Sequence, residues 1–182
     1  MTRTILTYGL ISGFFVIGIS VFVIATFGDG IDSGLGLWFG YLTMLVGLSS
    51  ILVAVKQHRD RELGGVIKFW PALALGLAIA AVAGVAYVIG WEIYLASTHY
   101  TFMDKYVESA LAAKRAAGVT GAAYAKAAAE MEAMRKSYES PPMRFGMTFL
   151  EIFPVGVLVA LVSAGLLRNP KILPARSRAA AA

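Results

Sequence analysis

Long uninterrupted stretches of apolar residues dominate the chain. Four of them extend over residues 5–27, 35–55, 67–95 and 145–167. A bilayer core is about 30 Å thick, so a helix that rises about 1.5 Å per residue needs roughly 20 apolar residues to cross it. Each stretch is long enough. We therefore predict an all-α integral membrane protein with four transmembrane helices in a single membrane domain, residues 1–182.

The overall composition agrees with a membrane protein. The chain is 58% hydrophobic and only 15% charged, whereas soluble domains average about 45–50% apolar and about 25% charged residues. The net charge of +5 comes from basic residues that cluster where the chain leaves the apolar stretches, without interleaved aromatic residues. The expected partner is therefore the lipid bilayer and not nucleic acid. Cysteine is absent, which excludes disulfides and thiolate chemistry.

The distribution of lysine and arginine predicts the orientation of the spans. The connection at residues 28–34 contains two aspartates and no basic residue, whereas residues 56–65 contain three basic residues and the tail at 168–182 contains four. Short loops that are rich in lysine and arginine stay on the cytoplasmic side. We therefore expect a multi-pass protein of a bacterial inner membrane with both termini in the cytoplasm, and residues 96–144 on the external side.

The external segment has its own helical pattern. Apolar residues recur on one stripe from Phe102 to Leu111, glycines interrupt the pattern at 118–121, and a second stripe continues to Tyr138. This spacing predicts an external helical hairpin over about residues 101–140. We favour a hairpin that packs its two stripes together and covers the bundle. The alternative is that its methionine and tyrosine surface docks a partner or gates an opening.

Pairs of small residues four positions apart occur in every span. Lipid tails do not drive helices together, so transmembrane helices associate through close backbone approach at such pairs. We expect packing within a compact bundle, or between copies of the chain, at the following positions: Gly9, Gly13, Gly36, Gly40, Gly76, Ala80, Gly84, Gly156, Ala160 and Ala164.

Two glutamates lie within the apolar stretches. Glu151 is about two turns inside the fourth span, and Glu92 is near the end of the third. A carboxylate at such depth must be paired or hydrated, or else neutral. Pro154 is expected to kink the fourth span and to free a backbone carbonyl nearby. Glu151 and Glu92 are thus a candidate proton or cation site; the alternative is that each only fixes the fold or reaches the interface.

No other pattern indicates a reactive site. His58 and His99 stand apart and supply no set of metal ligands. Asp29 and Asp32 fit a solvated turn. The chain has no phosphate-binding glycine loop and no nucleophile with a matching base. We therefore expect no metal, no cofactor and no catalytic residue.

Several short segments resemble a known family. They are Tyr8-Gly9-Leu10, residues 64–69, 91–94, 102–104, 138–141 and 144–156. These segments are similar to those of a bacterial membrane-protein family catalogued as domain of unknown function 4199, and the run from Thr148 to Gly156 is the most specific. The resemblance covers nearly the whole chain. It implies a bacterial multi-span protein and carries over no catalytic residue.

Three functional hypotheses follow. The first is a non-catalytic accessory or interaction protein, which acts as a homo-oligomer or with a membrane-protein partner and needs no reactive constellation. The alternative is a small oligomeric transporter or channel, coupled to protons or cations, that uses Glu151 and Glu92. An intramembrane enzyme ranks last, because two carboxylates without a nucleophile and its base make a poor active site.

Overall fold

The computed structural model describes residues 1–27 and 33–175. All regular secondary structure in these residues is α-helical, so the predicted all-α class is confirmed. The helices are α1 (Thr2–Phe27), α2 (Ser33–Leu48), α3 (Ser50–Glu62), α4 (Phe69–Ser97), α5 (Phe102–Ala116), α6 (Gly121–Glu139) and α7 (Pro141–Leu167).

Four helical segments of the described chain are long and apolar enough to cross a membrane, as predicted. They are Thr2–Thr26, Trp38–Glu62, Phe69–Ser97 and Pro141–Leu167. The first and last residues of these segments differ from the predicted ones. The fourth begins at Pro141 and not at residue 145, because proline fits the first turn of a helix, where its missing N–H would have no partner. The predicted hairpin ended at about residue 140, immediately before this proline.

The second span is made of α2 and α3, which meet at Ser49. The N–H of Ser49 is shared between the carbonyls of Leu45 (2.9 Å) and Val46 (3.3 Å), and its hydroxyl donates to the Val46 carbonyl at 2.6 Å. Serine hydroxyls that bond back to their own helix often bend it. The span also continues to Glu62, beyond its predicted end at residue 55.

Helix α4 is the centre of the bundle and packs against both α1 and α7. Small residues bring the backbones together at these contacts. A Cβ added to Gly13 would lie 2.5 Å from the Ala83 carbonyl oxygen, and one added to Gly156 would lie 2.7 Å from Ala80 Cβ. Four further predicted packing positions lie in the same two interfaces: Gly9, Gly76, Gly84 and Ala160. Ala164, on α7, is fully buried.

Helices α5 and α6 contact each other, and α6 also contacts α7; we call them the α5–α6 pair. Arg135 on α6 joins them through Asp104 on α5, with 3.3 Å between Nη1 and Oδ1, and it also holds Glu132 at 2.7 Å. The hydrogen bond from Arg135 keeps the pKa of Glu132 below its usual value. Exposed ion pairs of this kind contribute little stability, and the placement of the pair outside the cell stays a prediction.

Each end of the bundle contains a buried arginine. The Arg144 end is the one that adjoins the α5–α6 pair, and the Arg59 end is the opposite one, where α3 and α7 finish. Arg59 is fully buried. It donates to the carbonyls of Leu167 (3.5 Å), Ile172 (3.1 Å) and Leu173 and to the carboxylate of Asp60 (2.7 Å). It therefore fastens the turn after α7 to α3.

Candidate functional site

Glu92 and Arg144 form an ion pair between α4 and α7. Arg144 Nε lies 2.6 Å from Glu92 Oε1, and Arg144 Nη2 lies 2.9 Å from Glu92 Oε2, so the guanidinium donates to both carboxylate oxygens. Only 6% of Arg144 is exposed. Its other amino group donates to the Tyr138 carbonyl, 3.0 Å away. The pair therefore ties two spans to the end of α6.

Aromatic rings surround this ion pair. The guanidinium carbon of Arg144 is 5.1 Å from the centroid of the Tyr100 ring and 5.8 Å from that of Tyr138, which is within the range of cation–π attraction. The Tyr138 hydroxyl accepts a hydrogen bond from Trp91 Nε1 at 2.6 Å. Burial raises the pKa of Tyr138, which favours the neutral phenol.

A cavity of about 520 Å³ lies between the spans, in the half of the bundle toward the Arg144 end. We call it the main cavity. Residues of α1, α2, α4 and α7 form its walls, and residues of the α5–α6 pair cover it. Most of its lining is apolar or aromatic. The lining residues with a hydroxyl or carboxyl group are Ser20, Thr43, Tyr87, Tyr106, Tyr138, Thr148 and Glu151.

The cavity exists because the two parts of the second span pack differently. Helix α3 contacts α1, α4 and α7, whereas α2 contacts α1 and α7 and makes few contacts with α4. A hydrogen bond between the hydroxyls of Ser12 and Ser50 holds the start of α3 to α1. Toward the Arg59 end, the second span therefore packs against the other three spans through α3, whereas toward the other end it leaves space beside α4.

Glu151 lines the main cavity, and Glu92 does not. No hydrogen bond or salt bridge joins the Glu151 carboxylate to any residue that the structure describes. The two glutamates that we named as one candidate site are thus in different situations. Both oxygens of Glu92 are bonded to Arg144, whereas those of Glu151 are available to a ligand.

Two glycines that were predicted to pack helices together line this cavity. They are Gly36 and Gly40. A Cβ added to Gly40 would meet no other atom within 4 Å, so this position holds no close helix contact within the described residues. Their spacing is the same as that of the packing glycines, but α2 diverges from α4 here. Pro154 lies within α7, which is one continuous helix, and the kink stays a prediction.

A second cavity of about 380 Å³ adjoins the first. It is lined by Arg135, Arg144 and Asp104 among others, and Met103 and Tyr138 belong to the lining of both cavities. These two side chains therefore stand between the main cavity and a polar surface formed with the α5–α6 pair. No position on α5 or α6 was named as a site residue from the sequence.

The other residues considered from the sequence do not form a site in the described structure. No group of three or more potential metal ligands comes together in residues 1–27 and 33–175. His58 Nδ1 is 3.1 Å from Glu62 Oε2 without hydrogen-bond alignment. His99 has a positive φ of 54° in the turn before α5. Asp29 and Asp32 lie outside the described residues.

Sequence reasoning missed Arg144 as the partner of Glu92. A usable signal was present, since Arg144 begins one apolar stretch and Glu92 ends the preceding one, so topology alone brings them to the same end of the bundle. Tyr87, Thr148 and Thr43 were also missed. Isolated hydroxyls in apolar helices carry no pattern that separates cavity-lining residues from packed ones.

A family model described as "Protein of unknown function (DUF4199)" matches residues 7–169 of the chain. No curated protein and no solved structure matches it. The matched region includes most of the first span, the other three spans in full, and Glu92, Arg144 and Glu151.

Proposed function

The chain belongs to the DUF4199 family, and we propose that it is a non-catalytic membrane protein that binds a small amphipathic ligand in the main cavity. The single observation that carries this proposal is the cavity itself. Its volume of about 520 Å³ lies in the range of about 300–1,000 Å³ that small-molecule sites occupy. An apolar lining with a few polar groups is also typical of such sites.

The basic residues support an orientation for this site. Lys56, Arg59 and Arg61 lie toward the Arg59 end, and such residues favour the cytoplasmic side. We place the Arg59 end and both termini in the cytoplasm of a bacterial inner membrane. The main cavity then lies in the external half of the bilayer. A ligand reaches it from the lipid or past the α5–α6 pair.

The α5–α6 pair supports an accessory role. Phe102, Met103, Tyr106 and Met134 belong to this pair and also line the main cavity. A ligand in the cavity would touch residues whose helices are outside the four spans. Occupancy of the cavity would therefore change a surface that a membrane-protein partner, or a second copy of the chain, can contact.

A transporter is the second candidate function, and Glu151 is the observation that favours it. A carboxylate that faces a cavity without a partner is a common feature of cation and proton pathways. Against it, the bundle is closed toward the Arg59 end, where Val16, Leu48 and Ile51 are fully buried. Transport would need a second arrangement of the spans, whereas ligand binding needs only the one observed.

Quenching of Trp91 fluorescence tests whether the cavity takes a ligand. Trp91 lines the cavity, whereas Trp38 and Trp70 are 75% and 74% exposed and are replaced by phenylalanine to leave one reporter. The probe is 12-bromododecanol, added to the protein in nanodiscs of neutral lipid. We expect saturable quenching of Trp91, because the bromine atom enters the cavity.

A matched pair of glycine variants controls for probe that only dissolves in the lipid. Gly40→Leu places a side chain in the main cavity and should abolish saturable quenching. Gly18→Leu adds the same side chain on α1, where an added Cβ also meets nothing within 4 Å, outside the cavity lining, and should leave the quenching unchanged. Quenching that never saturates, or that survives Gly40→Leu, would rule out the proposed function.

A further inference from the structure

We propose that the ligand of the main cavity carries a positively charged head group, as in an amphipathic amine or quaternary ammonium compound, and that Glu151 is its counter-ion. This inference rests on the proposed function and names the chemical class of its ligand. Among the described residues that line the cavity, Glu151 is the one carboxylate, and none is lysine, arginine or histidine.

The nearby arginine does not neutralise Glu151. Arg144 precedes it by about two turns on α7, but its guanidinium is directed to Glu92 and to the Tyr138 carbonyl. If the guanidinium turned to Glu151 instead, Glu92 would lose its partner, so one ion pair would be lost for each one formed. Of the two glutamates, the one without a basic partner is therefore the one that faces the cavity.

The depth of Glu151 favours a counter-ion supplied by the ligand. It is ten residues after Pro141, which is roughly 15 Å along a helix that rises about 1.5 Å per residue. Attraction between opposite charges is several times stronger in apolar surroundings than in water. A cationic head group at this depth therefore gains much more from Glu151 than a cation at the membrane surface would.

The aromatic lining matches an organic cation. Phe39, Tyr87, Trp91, Phe102, Tyr106 and Tyr138 line the same cavity as Glu151. The faces of aromatic rings attract ammonium groups by cation–π interaction. Apolar residues of α1 that also line the cavity, Ile19, Val23 and Ile24, would contact an alkyl tail.

A metal cation fits this lining less well than an organic one. Hard cations such as Ca²⁺ or Mg²⁺ require about six or more oxygen ligands. Two hydroxyls of the cavity already donate to their own helices, Ser20 to the Val16 carbonyl at 2.9 Å and Thr43 to the Phe39 carbonyl at 2.9 Å. One carboxylate and a few hydroxyls are too few oxygens for such an ion. They suffice for an ammonium group that needs one counter-charge.

Three probes that differ only in head group test the proposal with the Trp91 reporter. They are 12-bromododecyltrimethylammonium, 12-bromododecanol and 12-bromododecyl sulfate, in nanodiscs of neutral lipid. We expect the ammonium probe to bind at least about tenfold more tightly than the alcohol, which corresponds to about 1.4 kcal/mol. We expect the sulfate to bind more weakly than the alcohol.

Variants of Glu151 then assign the preference to that residue. Glu151→Gln should bring the affinities for the ammonium probe and the alcohol to within about twofold and leave the alcohol unchanged, whereas Glu151→Asp keeps the charge and should retain a preference. Glu130→Gln, a change of equal charge at a residue whose side chain is 63% exposed, should have no effect. If Glu151→Gln does not fold, the three probes with the unmodified protein still test the head group, because equal binding of the ammonium probe and the alcohol would overturn the proposal.

The outcomes separate this inference from the proposed function. Equal binding of the ammonium probe and the alcohol, or a preference that survives Glu151→Gln, would overturn the cationic ligand and leave a ligand-binding cavity in place. Failure of all three probes to quench Trp91 saturably would remove both. A preference for the ammonium probe that depends on Glu151 supports both.

Discussion

At each end of the bundle a buried arginine holds a turn to a span, but the two arginines bind different partners. They are Arg59 and Arg144, with 0% and 6% exposure. Each arginine also holds a non-glycine residue with a positive φ: Arg59 donates to the carbonyl of Leu173 (φ 49°), and Arg144 lies over the ring of Tyr100 (φ 58°). Both arginines thus fasten a strained turn to a span.

Their partners differ, and the difference determines what each half of the molecule can do. Arg59 bonds mainly to backbone carbonyls after α7, and Asp60 beside it is also held by Lys56. Arg144 instead takes both oxygens of Glu92 on another helix. The Arg59 end is therefore closed and its acidic side chain is paired. At the Arg144 end, Arg144 is bound to Glu92, and Glu151 lies next to the cavity without a basic partner.

The largest effect is expected from Glu92→Gln. This change leaves Arg144 buried without its carboxylate, and breaking a buried ion pair from one side costs roughly 3–5 kcal/mol. Thermal unfolding in detergent should show the loss as a clearly lower midpoint. Glu92→Gln combined with Arg144→Met removes both charges and should restore most of the lost stability. If Glu92→Gln alone were as stable as the unmodified protein, the buried ion pair would be contradicted.

Arg59→Met should cost less, roughly 2–3 kcal/mol, since it removes charged hydrogen bonds to backbone carbonyls while Asp60 keeps its contact with Lys56. The turn after α7 should come loose, so limited proteolysis should cut beyond Leu167 earlier than in the unmodified protein. Arg61→Met, at an exposed position of the same helix, is the control. Equal cleavage in both variants would mean that Arg59 does not hold this turn.

Substitution of one glycine in each half of the bundle by alanine compares the packing of the closed half with that of the open half. Gly76→Ala places a Cβ 2.8 Å from Ala160 Cβ, and overpacking of this kind costs about 1–3 kcal/mol. Gly40→Ala meets no atom within 4 Å and should change stability by less than about 1 kcal/mol, toward greater stability because alanine favours helix. Chemical denaturation in mixed micelles measures both. Similar losses in the two variants would refute the difference in packing.

The smallest effect is expected from His99→Gly. His99 has a φ of 54° in the turn between α4 and α5, a conformation that costs a non-glycine residue about 1–2 kcal/mol. Glycine relieves this strain at some cost in chain entropy, so we expect a gain in unfolding free energy of at most about 1 kcal/mol. A lower melting temperature for His99→Gly would show that the imidazole itself holds the Arg144 end.

The spans were predictable because long apolar stretches with few charges have one physical explanation, which is that they cross a bilayer. Helices α1, α4 and α7 each correspond to one apolar stretch. The division of the second span at Ser49 was not predictable, since serine occurs both in straight and in bent transmembrane helices. Hydropathy measures how apolar a segment is, and it does not show where a helix within that segment is interrupted.

The candidate site was predictable only in part. Glu151 was identified because a carboxylate deep in an apolar helix is costly. The sequence prediction joined it with Glu92 in one candidate site, whereas the structure pairs Glu92 with Arg144. The cavity depends on how far α2 lies from α4, which tertiary packing decides. Gly40 shows the limit most clearly, because its spacing is that of a packing glycine and its surroundings are open.

Carbodiimide labelling of the two intramembrane glutamates tests the central claim, that the Arg144 end occupies Glu92 and leaves Glu151 free in the cavity. Dicyclohexylcarbodiimide is apolar and reacts with carboxyl groups that no cation holds, and peptide mass spectrometry identifies the labelled residue. We predict that Glu151 is labelled and Glu92 is not, and that 12-bromododecyltrimethylammonium protects Glu151. Labelling of Glu92 in preference to Glu151 would contradict the account.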